Sequence, residues 1–106
     1  RILMLGVAYK RNIADIRESP SLDIIRLLEQ EGAEVAYSDP FVPELRADTI
    51  SRQSQDVTAE NLRSYDCVVV VTDHSDFDYD LIQREAKLVV DCRNAIRRRA
   101  DNVIKL

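Results

Sequence analysis

Lys10, Arg11 and Arg17 sit close together after an apolar run that opens the chain, and Arg93 follows another apolar run near its far end. Arginine can pair with a phosphate through two parallel N–H donors and lysine supplies a compact charge, so such cations suit a phosphate or pyrophosphate ligand. The stretch that carries three of them, GVAYKRNIADIRESPSL over residues 6–22, contains Gly6 as its only glycine. Dinucleotide folds expose backbone amides to pyrophosphate through a GxGxxG turn. Here side chains have to do that work, and the segment is a poor primary dinucleotide fingerprint. The plainer reading makes Lys10, Arg11 and Arg93 solvated loop charges and pairs Arg17 locally with Glu18.

The remaining reactive residue types form no complete catalytic set. His74 is the chain's only histidine, and with no nucleophile or metal-ligand cluster beside it, loop hydrogen bonding is the better reading. Asp39 ends a strand-like segment where a ribose-binding acid would sit, but Pro40 after it favours a turn former. Cys67 lies inside an apolar run and is expected to be buried. Cys92 falls at a strand end, where packing is favoured over reactivity. The RRR run at 97–99 reads as a solvated turn.

These residues need a scaffold. With 106 residues, 45 % of them apolar, the chain falls below the soft prior of about 150 residues per domain and is expected to be one domain, 1–106. A core of this size buries roughly 60 to 68 % of the unfolded surface. The net charge of −4 argues against chain-wide attraction to nucleic acid or to an anionic membrane, so an anion site must be local. The apolar runs fall far short of the ~20 residues that cross a bilayer. Two cysteines and no signal-like opening suit a reducing, cytoplasmic compartment. The chain begins RILML without a methionine, as expected of a piece cut from a longer protein.

Residues 2–8 read as a buried parallel strand. A helix is expected from Pro20 to Glu31, capped by Ser19, ended by Gly32, and apolar along Leu22, Ile24, Ile25, Leu27 and Leu28. Strands follow at 33–39, 66–72 and 87–92, a final one at 102–106, and short helices at 58–64, with Thr58 as cap, and at 78–85. A short helical turn near 44–47 and a weak edge strand near 50–55 complete the reading. Alternating strands and helices define an α/β class: a three-layer, doubly wound, Rossmann-like domain with a mainly parallel five-stranded sheet. The expected order is 3-2-1-4-5 if the edge strand joins the sheet, and flavodoxin-like otherwise. In such sheets ligands bind outside the carboxyl ends of the strands. That rule gathers Tyr9, Lys10, Arg11 and Arg17 with Asp39, Asp73, His74 and Arg93, and lets Lys10 and Arg93 converge.

Three separated motifs, GVAYKRNIADIRESPSLDIIRLLEQEGAEVAYSDPFVPE, VVVTDHSDF and VVDCRNAI, together resemble the C-terminal domain of the UDP-glucose/GDP-mannose dehydrogenase family over nearly the whole chain. The AYK and D-x-RESP pair within one loop is the most specific part. The resemblance implies an NAD-dependent nucleotide-sugar 6-dehydrogenase that oxidises a sugar C6 alcohol to a carboxylate in two hydride transfers. It also implies partner regions of the same protein: an N-terminal NAD-binding domain with GxGxxG, and a central helical region that mediates dimerisation and supplies the catalytic cysteine, so that the full-length protein is a homo-oligomer. By this resemblance Tyr9, Lys10 and Arg93 contact the UDP-sugar substrate and Arg17 reaches the NAD pyrophosphate. Cys67 and Cys92 match no catalytic cysteine motif, and the fragment alone is expected to be inactive. Tyr9 in the AYK motif favours the UDP-N-acetylhexosamine branch over the UDP-glucose branch, where phenylalanine is common. The alternatives are a non-catalytic, flavodoxin-like regulatory or interaction module, and a small complete enzyme using Cys92 or His74.

Overall fold

A computed structural model of the chain describes residues 1–8, 20–47, 50–97 and 99–106. In chain order its elements are β1 (Ile2–Leu5), α1 (Ser21–Gln30), β2 (Val35–Ser38), β3 (Glu44–Ala47), β4 (Ile50–Gln53), α2 (Ala59–Ser64), β5 (Cys67–Val70), α3 (Tyr79–Glu85), β6 (Val89–Asp91) and β7 (Val103–Lys105).

Five strands form one parallel sheet in the order β2-β1-β5-β6-β7. β1 lies second in the sheet, with Ile2 opposite Val35 on one side and Cys67 on the other. The expected order 3-2-1-4-5 is thus corrected to the flavodoxin-like one. The segment at 50–55 does not extend the sheet, because β4 spends its ladder on β3: the two pair antiparallel, Glu44 opposite Gln53 and Ala47 opposite Ile50. The fifth place is taken by β7 on the far edge. Residues 44–47, expected as a helical turn, are strand β3 because Leu45 is drawn into the core, a pull that pairing satisfies and helix propensity does not.

The helices start and stop where their local chemistry dictates. Thr58 caps α2 by accepting from the Asn61 N–H at 3.1 Å, and Asp78 caps α3 by accepting from the Leu81 N–H at 3.1 Å. α1 begins after Pro20, whose carbonyl accepts from the Ile24 N–H, while the Ser19 cap lies outside the described residues. Gly32, at φ +94°, follows the end of α1 in the left-handed conformation that glycine adopts without strain. Leu27 corrects the expected apolar face: it points to solvent, while Ile25 is buried and Leu22, Ile24 and Leu28 are partly covered.

The sheet separates two cores. On one face Leu3, Leu5, Val68, Val70 and Val89 pack against Leu62 of α2 and Ile82 of α3. On the other, Met4, Val35 and Tyr37 pack against Ile25 of α1 and Leu45 of β3. The result is the expected three-layer α/β arrangement. Among the described residues no helix is long and apolar enough to cross a membrane.

Candidate functional site

Strand order reverses between β1 and β5, and that is where the rule for open parallel sheets locates a ligand. A groove of about 520 Å³ occupies the place, lined by Ala8 after β1, Pro20 and Ile24 of the α1 entry, Val71 and Thr72 after β5, and Cys92 and Arg93 after β6. One wall is apolar and the other brings an exposed guanidinium. A second depression of about 450 Å³ lies at the edge strand β7, lined by Arg99, Ala100, Asp101, Val103 and Lys105, and its mixed charges offer no convergent cationic site.

The chain leaving β1 is clamped from both sides. Gly6 runs so close to β5 that a Cβ there would stand 2.4 Å from the Thr72 Cβ, and its φ is +89°. The Thr72 hydroxyl donates to the Ala8 carbonyl at 2.6 Å. From the other side, Asp39 Oδ2 accepts from the Val7 and Ala8 N–H groups at 2.9 and 3.1 Å and meets His74 Nε2 at 2.9 Å. Its Oδ1 accepts from the Phe41 N–H at 2.9 Å. Asp39 and His74 are buried, and the imidazole lies between Phe41 and Phe77, with ring centroids 4.8 and 5.8 Å away. A carboxylate removed from water is tolerable here because several donors satisfy it.

A second buried carboxylate shapes the opposite wall. Asp91, at the end of β6, accepts from the Arg93 and Ala95 N–H groups through Oδ1, both at 3.1 Å, and from the Ile96 N–H through Oδ2 at 2.8 Å. These bonds fold residues 92–96 into a tight loop in which Asn94 takes a positive φ of 56°. Lys105 Nζ donates to Asn94 Oδ1 at 2.9 Å and ties the loop to β7. Arg93 therefore extends from a backbone fixed at its own amide. Beside it the Cys92 thiol is pushed up by burial and by Asp91, against a smaller opposing effect of Arg93, which weakens it as a nucleophile.

Of the residues named from sequence, Arg93 stands on the groove as expected, while Tyr9, Lys10, Arg11 and Arg17 lie outside the described residues. Asp39 is a turn former rather than a ribose acid, since its oxygens are taken by main-chain donors and His74. His74 is a hydrogen-bonded loop residue. Cys67 is half-buried rather than buried, because it starts β5 on the less covered side of that strand's alternation. Arg97 and Arg99 are exposed and solvated, and Arg98 lies outside the described residues. Sequence reasoning missed Thr72 and Asp91. An acid closing the buried strand VVDC was the available signal for Asp91, since it must find donors in the loop that follows. Among the described residues no three His, Cys, Asp or Glu side chains cluster as a metal site.

Fold and groove together define a doubly wound nucleotide-type domain with a cationic residue at its switch point. The model of the UDP-glucose/GDP-mannose dehydrogenase family, UDP binding domain, matches residues 3–98, and the chain belongs to that family. It is 35 % identical over 104 residues to a UDP-N-acetyl-D-mannosamine dehydrogenase of Methanococcus maripaludis, covering 91 % of this chain and 23 % of the relative. It is 31 % identical over 115 residues to a UDP-glucose 6-dehydrogenase of Rhizobium meliloti, covering 99 % of this chain and 25 % of the relative. The solved structure of the Pyrococcus horikoshii UDP-D-ManNAc dehydrogenase superposes with a TM-score of 0.73 at 28 % identity, over 98 % of this chain and 24 % of that one. The chain thus spans about a quarter of the length of these relatives.

Proposed function

We propose that the chain is the single C-terminal, nucleotide-sugar-binding domain of a longer NAD-dependent UDP-sugar 6-dehydrogenase, which takes a C6 alcohol to the carboxylate in two hydride transfers. The observation that carries this reading is the groove itself: in a chain of this family, Arg93 and the end of β1 converge at the switch point of the sheet. Tyr9 and Lys10 follow Ala8 directly in sequence and join Arg93 on the UDP-sugar, whose diphosphate matches a bidentate guanidinium. The relatives named for UDP-N-acetyl-D-mannosamine support an N-acetylhexosamine as the sugar.

At Gly6, where the described chain leaves β1, NAD finds no backbone cradle to serve as its principal site. The space left by Gly6 is filled by Thr72 rather than open to a pyrophosphate, and the only other glycine, Gly32, lies past the end of α1. By its likeness to the family, we place the cofactor on an N-terminal domain of the longer protein, where it would supply the hydride acceptor, with Arg17 reaching its pyrophosphate across the domain boundary. The catalytic cysteine and the dimer contacts also belong outside residues 1–106, so the isolated chain turns over no substrate. Closure of this domain over the ligand would exclude water from the reacting centre.

The test is a titration of the isotope-labelled chain with UDP, a UDP-sugar and NAD in turn, followed at backbone amides. UDP ligands are expected to shift Ala8, Thr72 and Arg93 and NAD to leave them in place. In the full-length protein Arg93→Ala should lower kcat/KM about tenfold or more, as loss of a charge-assisted bond of about 1.5–3 kcal/mol requires. No shift with any UDP ligand together with unchanged kcat/KM in Arg93→Ala would sink the reading.

A further inference from the structure

We propose that His74 is a positioning residue for the ligand groove, acting through Asp39 on the main chain of Val7 and Ala8. The inference rests on the nucleotide-sugar reading of that groove. His74 is wholly buried and is absent from the groove lining, so it cannot touch a ligand there. Its route to the groove is short and continuous. Nε2 meets Asp39 Oδ2 at 2.9 Å, and the same oxygen accepts from the Val7 and Ala8 N–H groups at 2.9 and 3.1 Å. A carboxylate oxygen only accepts, so the Nε2 proton is donated to it.

Ala8 is the last residue of this wall before Tyr9 and Lys10. Its carbonyl is fixed by Thr72 and its amide by Asp39, so both faces of one peptide segment are held at the mouth of the groove. One oxygen serving three donors holds its position only while each donor does, and His74 is the donor that comes from a separate loop. Phe41 and Phe77 flank the imidazole, and the Tyr79 hydroxyl donates to the His74 carbonyl at 2.8 Å. The loop after β5 therefore holds the chain departing from β1 at two points, directly through Thr72 and, by way of Asp39, through the His74 imidazole. A side chain that fixes binding groups in this way acts on affinity without contacting the ligand, since small displacements of contact groups are costly.

The experiment compares His74→Gln with His74→Asn in the full-length protein, with UDP as the probe. Glutamine can place an amide N–H near the position of Nε2, and asparagine, one methylene shorter, cannot. UDP affinity is read by calorimetry and local opening by hydrogen exchange at the Val7 and Ala8 amides, with the Val70 amide as reference. His74→Asn is expected to raise the UDP Kd about tenfold, on the scale of a sub-ångström misplacement, and to speed exchange at Val7 and Ala8 more than at Val70. His74→Gln should stay within about twofold of the unmodified protein on both readouts, a difference worth less than half a kcal/mol. An Asn variant with unchanged Kd overturns the proposal, as does one whose Kd rises with no faster exchange at Val7 and Ala8. If His74→Asn does not fold, the Gln variant still decides: folded but weakened for UDP, it overturns the proposal, and folded with both readouts preserved, it supports it. An unmodified protein that fails to bind UDP overturns the nucleotide reading itself, an outcome distinct from equal binding by all three proteins.

Discussion

A methyl group added to Gly6 would stand 2.4 Å from the Thr72 Cβ, whereas one added to Gly32 would meet nothing within 4 Å. Both glycines have positive φ, so alanine at either is strained, but only at Gly6 must the sheet also move. Gly6→Ala should cost about 3–4 kcal/mol, combining backbone strain with overpacking, and Gly32→Ala about 1 kcal/mol. Chemical denaturation of both variants reads the difference, and equal losses would remove the close approach as the cause. Tyr37 supplies a second test at this scale. Its hydroxyl, buried and donating to the Val42 carbonyl at 2.7 Å, has its pKa pushed up to about 12 by burial first and then by Asp39 and Glu44. A folded-state value above the unfolded one means that the proton stabilises the fold. That stability is complete below about pH 10 and lost as pH rises toward about 12. The loss is about 2–3 kcal/mol, and Tyr37→Phe should flatten stability across this window, with phenolate absorbance following the titration.

Between β3–β4 and the sheet, single side chains and one main-chain bond, from the Gln55 N–H to the Tyr37 carbonyl at 2.8 Å, do the joining. Arg52 of β4 donates to the Val35 carbonyl at 2.7 Å and to Glu29 of α1 at 2.6 Å, and Ser54 Oγ accepts from the Asp39 N–H at 2.9 Å. The Arg52–Glu29 pair is partly exposed, so water screens it and most of the contribution lies in the bond to Val35. Arg52→Ala should lower stability by about 1–2 kcal/mol, and Arg52→Lys should restore only part of that, since lysine lacks the planar fork. Midpoints of urea unfolding measure both, and a lysine variant matching the unmodified chain would show that charge alone matters. These long-range ties also explain what was legible beforehand. β1, β5 and the Thr58 cap could be read because their signals are local: apolar runs, and a polar oxygen ahead of a helix. β3 could not, because residues 44–47 are drawn into a strand by partners at 50–53 and by a core that Leu45 enters, and the strand order failed with it. In the groove, Arg93 was legible as a cation after a buried strand. Thr72 was not, since its partner Ala8 lies 64 positions away.

At the scale of the whole molecule, every strand of the main sheet runs parallel and the central contact joins the ends of a long loop of chain, Ile2 facing Cys67. Parallel pairing of this kind requires closure of that loop before any bond rewards it, which makes it intrinsically slow. The parallel βαβ unit of β1, α1 and β2 closes a shorter loop, Ile2 to Val35, and it is complete by Ser38. Two amides report the two events, since Gly6 N–H donates to Ser38 across the first pairing and Val71 N–H donates to Leu5 across the second. In pulse-labelled refolding the Gly6 amide should gain protection before the Val71 amide, and simultaneous protection would show that the sheet forms in one step. On a ribosome the same asymmetry leaves β1 with one bare apolar edge until residues 67–70 emerge. The wall carrying Arg93 is made later still. During synthesis a ligand that needs Arg93 can therefore assist no early folding step, and the nascent β1 edge stays unpaired until β5 arrives.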